Sequence, residues 1–429
     1  MKNLIQHILA TLARLTLARY KPKIIGITGN VGKTSTKEAV YAVVSAAYRS
    51  RKGEKSYNNE LGMPLTILGM RTGGKNPLRW MFALVGACLR LVYCRYPEVL
   101  VLEMGVDKPG DMEYLLSMVS PDIAVFTSVG DMPVHVENFV NRGELIREKI
   151  KLAWAVPAHG KIIINADVPA WADIKTKAKA PVLTYGFADD AHIKIEQPEY
   201  RFEEKAGRKI PIGIGVKVQY KGSFVPFRVD GAFHLHSGAY IAGTACAAGV
   251  ALGMHLVEIS SGLARYVPPK GRLTLFEGIK GSMIVDDTYN ASPVSTEAAL
   301  EALAALSTGR KIAVLGDMLE LGTYTEEAHR DIGRKAARAC DILLTVGSRM
   351  RFAADEATAH GFKEGVNLFS CDTSEEAGAL LFRTIKEGDY VLVKGSQGMR
   401  MEKAVKEIMA HPERAEDLLV RQESGWLRS

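Results

Sequence analysis

Apolar runs without alternation recur through the first part of the chain: KIIGIT (Lys23–Thr28), EVLVLEMG (Glu98–Gly105), DIAVFTSVG (Asp122–Gly130) and KIIINAD (Lys161–Asp167). Strands buried on both faces have this signature, so the pattern predicts a parallel sheet covered by helices. Stretches such as Lys33–Ala47 and Arg142–Val156 supply those helices. Pro181–Val229 differs, because short alternating segments such as GIGVKVQYKG predict a small antiparallel β patch. An alanine-rich helix is expected from about His236 to Leu252. YVPPKGRL (Tyr266–Leu273) then reads as a stiff linker, since Pro268 and Pro269 break helices.

Beyond the linker the alternation resumes. SMIVDD (Ser282–Asp287), KIAVLGD (Lys311–Asp317), DILLTVG (Asp341–Gly347) and DYVLVKGS (Asp389–Ser396) are strand-like, with helical stretches such as STEAALEALAAL between them. The fold class expected is therefore α/β. A central domain over 23–266, with a parallel sheet and the antiparallel patch, is expected to precede a Rossmann-like α/β domain over 271–429. Residues 1–22 form a separate helical segment.

Composition changes this picture little. Hydrophobic residues make up 47% and charged residues 24% of 429, as in ordinary globular proteins. A net charge of +7 suits an anionic substrate or membrane surface, although scattered surface lysines are the plainer reading. Nucleic acid is not an expected partner. Five cysteines without CxxC spacing suggest neither a disulfide framework nor a zinc site, which fits a reducing cytoplasm. WMFALVGACLRLVYC (Trp80–Cys94) is the most apolar stretch. It is too short to span a bilayer, and Arg90 interrupts it. A packed helix is the plain expectation, and a helix in the membrane interface the alternative. Together with residues 3–20, also flanked by arginines, this stretch is expected to form a reduced substrate platform, with attachment to a membrane surface as the alternative.

Candidate chemistry begins after the first strand. Gly29, Asn30, Gly32, Lys33, Thr34 and Ser35 form a GxxGKT loop between strand and helix, shorter than the usual GxxxxGK[ST]. Such a junction offers backbone N–H groups and a helix start to an anion. Lys33 would meet terminal phosphates, and the Thr34 hydroxyl would hold Mg²⁺. Glu103 ends the next apolar strand, where carboxylates are placed to take a metal. PVHVENF sets His135 and Glu137 just past the third strand end. Lys149 lies within an amphipathic helix, and pattern alone does not single it out.

Seven stretches together resemble the Mur ligase family, most of all its MurF type, which adds D-alanyl-D-alanine to a muramoyl tripeptide. They are GITGNVGKTSTKE, SYNNELGMPLTIL, VLEMGVDKPGDMEYL, REKIKL…INADVP, DDTYNASP, VLGDMLELG and VLVKGSQGMRME. The short loop is that family's own form. The resemblance implies an ADP-forming amide ligase of peptidoglycan precursor synthesis that works through an acyl phosphate. ATP and two Mg²⁺ ions are the implied cofactors. Thr34 and Glu103 match one metal site, and His135 the second. Lys149 matches a lysine that many members carbamylate into a metal ligand, and Lys33, Lys149 and His135 are the implied catalytic residues. Arg272 matches a contact to phosphate and Asp287 one to ribose. Tyr289, Asn290 and Ser292 match the dipeptide-facing loop, with Lys394 and Ser396 over the same cleft. Closure about Pro268–Pro269 would assemble the site. The partners implied are a muramoyl peptide and D-alanyl-D-alanine, bound by a monomer.

Three departures stand out. The domain that holds the UDP-sugar in MurF-type enzymes has no counterpart in the two dozen residues before the loop. FHLHS (Phe233–Ser237) puts His234 and Ser237 where asparagines are usual, and Gln397 replaces an arginine. Two alternatives therefore stay open: a ligase of folylpolyglutamate type acting on another carboxylate, and a phosphate-loop kinase or switch without amide formation.

Overall fold

The computed structural model describes every residue except 1, 55–60, 73, 75, 94, 131–137, 206–207, 307–308, 424–425 and 427–429. Two sheets organise the described residues. The first contains β1 (Lys23–Thr28), β2 (Ser50–Lys52), β3 (Val99–Glu103), β4 (Ile123–Phe126), β5 (Lys161–Asn165), β6 (Val182–Gly186), β7 (Ile193–Lys205), β8 (Arg208–Tyr220) and β9 (Ser223–Asp230). Their order is β2-β3-β1-β4-β5-β6-β7-β8-β9, parallel through β7 and antiparallel beyond it. The antiparallel strands thus extend the parallel sheet edge-on, and β7 and β8 run to 13 residues each. Short alternating segments in the sequence are bulges and glycines within those long strands: register shifts fall at Glu196/Glu199 and Arg201/Phe202.

The second sheet contains β10 (Thr274–Glu277), β11 (Met283–Asp287), β12 (Lys311–Gly316), β13 (Ile342–Val346), β14 (Leu368–Cys371) and β15 (Tyr390–Lys394), in the order β10-β11-β15-β12-β13-β14. Only β10 is antiparallel. Insertion of β15 beside β11 sets Asp287 opposite Lys394. In the first sheet the chain leaves β1 toward β3 on one side and β4 on the other. That reversal opens a crevice at the carboxyl end of β1, where α/β sheets bind ligands.

Helices Lys2–Tyr20, Gly62–Leu68 and Pro77–Tyr93 share a small core of Leu9, Leu65, Leu68, Met70 and Ala87. Trp80, Ala83 and Leu84 pack on it, so the packed-helix expectation holds for one face of Pro77–Tyr93. Leu78, Met81, Phe82, Val85 and Leu89 stand exposed on the other. No described helix is long and apolar enough to cross a membrane.

Candidate active site

The phosphate-loop sequence folds as its glycines require. Gly29 has φ 141°, and a Cβ there would lie 2.0 Å from Thr127 Oγ1. Gly32 has φ 83° and begins helix Lys33–Val44 with no side chain capping it. The Asn30 and Val31 N–H groups donate to the Ser128 carbonyl at 2.9 and 3.1 Å, which pins the loop to the strand end of β4. A helix start thus faces the crevice with its N–H dipoles, and the loop cannot fold over it.

Charged side chains of both signs surround it. The Thr34 hydroxyl donates to Glu103, 3.1 Å from Oε2, and both side chains are buried. Lys37, one turn further along the helix, is buried beside them, with Nζ 4.0 Å from Glu103 Oε2 while it donates to the Gly53 carbonyl at 2.9 Å. Lys33 folds back on its own loop, donating to the Asn30 carbonyl at 3.2 Å. Burial pushes its ammonium below the usual lysine range, and the Arg272 charge adds to this against Glu103 and Asp107. Lys149 is 2% exposed, and no hydrogen bond or ion pair holds it among the described residues. Burial, helped by the Lys33 charge, pushes its ammonium down to about 7. Its neighbour Glu148 is engaged elsewhere: it accepts from the Gly110 and Met112 N–H groups at 3.1 and 3.0 Å and from Lys151 at 2.7 Å.

Across the crevice, Arg272 lies with its guanidinium carbon 4.0 Å from the Tyr289 ring centroid. Lys394 donates to Asp287 Oδ2 at 2.5 Å and to the Asn290 carbonyl at 2.8 Å, and Leu273 N–H donates to Asp287 Oδ1 at 3.1 Å. Lys394 and Asp287 are therefore a buried pair that fixes the 287–290 turn, rather than side chains reaching into the cleft. Ser292 caps helix Pro293–Ala304, and Ser396 accepts from the Leu319 N–H at 2.8 Å. His135 lies outside the described residues, as do Glu137 and the YNNE segment. Thr34, Lys37, Arg272, Tyr289 and Gln397 line one cleft of about 1660 Å³ between the two sheets.

Two family models match the chain: the Mur ligase middle domain over residues 27–225 and the Mur ligase, glutamate ligase domain over 271–397. The chain belongs to the Mur ligase family. A Bacillus subtilis (strain 168) relative, UDP-N-acetylmuramoyl-tripeptide–D-alanyl-D-alanine ligase, is 28% identical over 410 residues, 94% of this chain and 79% of that one. The MurF ligase of Thermotoga maritima, solved with ADP, has TM-score 0.76 and 24% identity over 96% of this chain and 84% of its own. The Mycobacterium tuberculosis folylpolyglutamate synthase has TM-score 0.63 at 14% identity, covering 92% of this chain and 94% of its own. Both structural likenesses establish the fold.

Within this Mur ligase, the departure at FHLHS has a structural role. The His234 ring accepts from the Ser237 N–H at 3.2 Å, capping helix Leu235–Ala251, and its other nitrogen lies 3.1 Å from Glu301 Oε2. Accepting at Nδ1 leaves Nε2 to carry the proton and donate to Glu301. This bond links helix Leu235–Ala251 to helix Pro293–Ala304 and bridges the two sheets' layers. Gln397 meets the Asn290 side chain through its backbone N–H at 3.2 Å. Sequence reasoning missed Lys37, Asp107 and Arg421. Lys37 follows Thr34 by three residues, which is the signal that would have placed it on the same helix face. Arg421 donates to the Thr288 carbonyl and Glu402 at 3.0 and 3.1 Å, a tertiary contact without local signature.

Proposed function

We propose that the chain joins D-alanyl-D-alanine to a muramoyl tripeptide, consuming ATP and forming an acyl phosphate on the tripeptide carboxylate. The observation that carries this reading is the cleft itself. A phosphate loop with Thr34 against Glu103 stands on one wall, facing Arg272 and the Tyr289–Asn290 turn on the other. The named activity of the Bacillus subtilis relative supports the choice of substrates. One chain supplies both walls, which favours action as a monomer.

The residues present fit a nucleotide triphosphate with magnesium. The helix start is open, and two buried polar atoms, Asn30 Oδ1 and Arg272 Nε, have no hydrogen-bond partner among the described residues. Thr34 and Glu103 would hold one Mg²⁺, with phosphate oxygens and water completing its shell, and His135 with Lys149 a second. When bound, the nucleotide and its metals turn a carboxylate oxygen into a phosphate leaving group. The protein positions and neutralises. Lys33 and Arg272, the latter braced on Tyr289, lie close enough to disfavour each other's charge, and a phosphate bound between them would favour both cations. Asp287, tied to Lys394, and Ser292, capping its helix, hold the 287–292 turn that presents Tyr289 to the cleft, where the dipeptide would bind. Lys149, buried and with its ammonium pushed down to about 7 despite Asp107, Glu148 and Asp111, would offer the neutral amine needed to add CO₂. The N–C bond forms as one proton leaves, giving a carbamate.

The test is ADP formation with a muramoyl tripeptide, with and without D-alanyl-D-alanine, and the mass of the product. Amine-dependent ADP and a pentapeptide product are expected. ADP release without amine would sink the ligase reading, and ligation of glutamate instead would move the chain to the folylpolyglutamate type.

A further inference from the structure

Helix Pro77–Tyr93 is apolar on two opposite faces. Trp80, Leu84 and Ala87 pack inward. Leu78, Phe82, Val85 and Leu89 recur at the spacing of a single stripe and point outward, with Phe82 69%, Leu78 61% and Leu89 60% exposed. Ile8 and Leu15 are exposed on helix Lys2–Tyr20, which packs on the same small core. A monomer has no solubility reason to display such a stripe.

Charge identifies the occupant. Residues 1–22 and 61–97 contain nine Lys or Arg and no Asp or Glu. Of the chain's 55 basic residues, the remaining 46 are fewer than its 48 acidic ones, so the positive net charge resides in these two stretches. Surplus lysines scattered over the surface do not describe this protein. Arg90 is tied to the Gly69 carbonyl at 2.6 Å and Arg71 pairs with Glu54, but Arg14, Lys21, Arg79 and Arg95 stand exposed. An apolar stripe flanked by cations and free of acidic residues complements an anionic bilayer surface. A second copy of the same basic face would be repelled.

We propose that helices Lys2–Tyr20 and Pro77–Tyr93 dock the protein on an anionic lipid bilayer, with the stripe in the acyl boundary and the arginines among the headgroups. Gln6, Leu61, Gly62 and Leu65, from the same helical layer, line the active-site cleft, so docking holds the cleft mouth near the membrane. The inference is independent of which amine is ligated.

The test is co-sedimentation of the full chain with vesicles of phosphatidylglycerol and phosphatidylethanolamine, and with phosphatidylcholine vesicles. Binding to the anionic vesicles, lost in high salt, is expected, with at least tenfold weaker binding to phosphatidylcholine. Phe82→Ser with Leu89→Ser should weaken vesicle binding tenfold or more and leave ligation of a soluble acyl substrate unchanged. Arg14→Ser and Arg79→Ser should each cost about fivefold. Wild-type protein that stays in the supernatant, or a double serine variant that binds as well as wild type, overturns the proposal. A dimer that the double variant dissociates, without vesicle binding, would assign the stripe to a second copy. A raised KM for soluble substrate, without vesicle binding, would make it a substrate platform. Loss of ligation in the wild type is a separate failure and bears only on the proposed reaction.

Discussion

Replacing Lys149 by methionine removes one titrating group from the core while keeping its length. The wild-type ammonium is pushed by burial from 10.5 to about 7 in the folded protein. That difference amounts to about 5 kcal/mol of folding free energy. The sign follows from which state holds the proton. Between pH 7 and 10.5 the unfolded chain keeps it and the folded chain does not, so stability rises with pH by about 1.4 kcal/mol per unit. Below pH 7 both states are protonated and the full penalty applies; above 10.5 it vanishes. Lys149→Met should therefore be the more stable protein near neutrality, with its advantage shrinking as pH rises. Urea unfolding in CO₂-free buffer at several pH values between 7 and 10 measures this. Trp171 is a suitable reporter, since it is buried in the core that also holds Leu145, Ile150 and Leu152 of the Lys149 helix. Bicarbonate at pH 8.5 should then stabilise the wild type alone, because only its amine can bind CO₂. A stability difference that stays flat with pH would refute the argument that Lys149 is buried uncharged.

Lys33→Ala should reduce phosphate release by about a thousandfold with an unchanged melting temperature, because it removes a phosphate-facing cation and no core contact; near-normal turnover would show that the loop does not hold the nucleotide. Gly29→Ala should destabilise the fold by about 2 kcal/mol or more in calorimetry, since its Cβ would meet Thr127 as well as a strained φ, whereas Gly32→Ala has open space and should cost about 1 kcal/mol. Equal losses at the two positions would contradict that distinction. Lys394→Met leaves Asp287 buried without its cation and should cost about 3–5 kcal/mol in urea unfolding, and a loss below 1 kcal/mol would mean that the pair is not what holds the 287–290 turn.

Much of the molecule was legible in the chain. Continuous β-branched runs placed β1, β3, β4 and β5, and GxxGKT located the loop, because a buried strand and a left-handed glycine turn leave local signatures. Its position at a strand's carboxyl end offered Glu103, and the resemblance supplied Arg272 and Lys149 as candidates. Tertiary structure decided what local pattern does not encode. Alternation could not show that β7–β9 continue the first sheet, since strand pairing joins residues far apart in sequence. The apolarity of Pro77–Tyr93 could not tell its packed face from its exposed one, because that depends on where helix Lys2–Tyr20 lies. Nor could composition show that Lys394 is spent on Asp287, or that Lys149 is buried near the Lys33 charge. A side chain's charge state is set by its neighbours in space, and those neighbours exist only once the chain has folded.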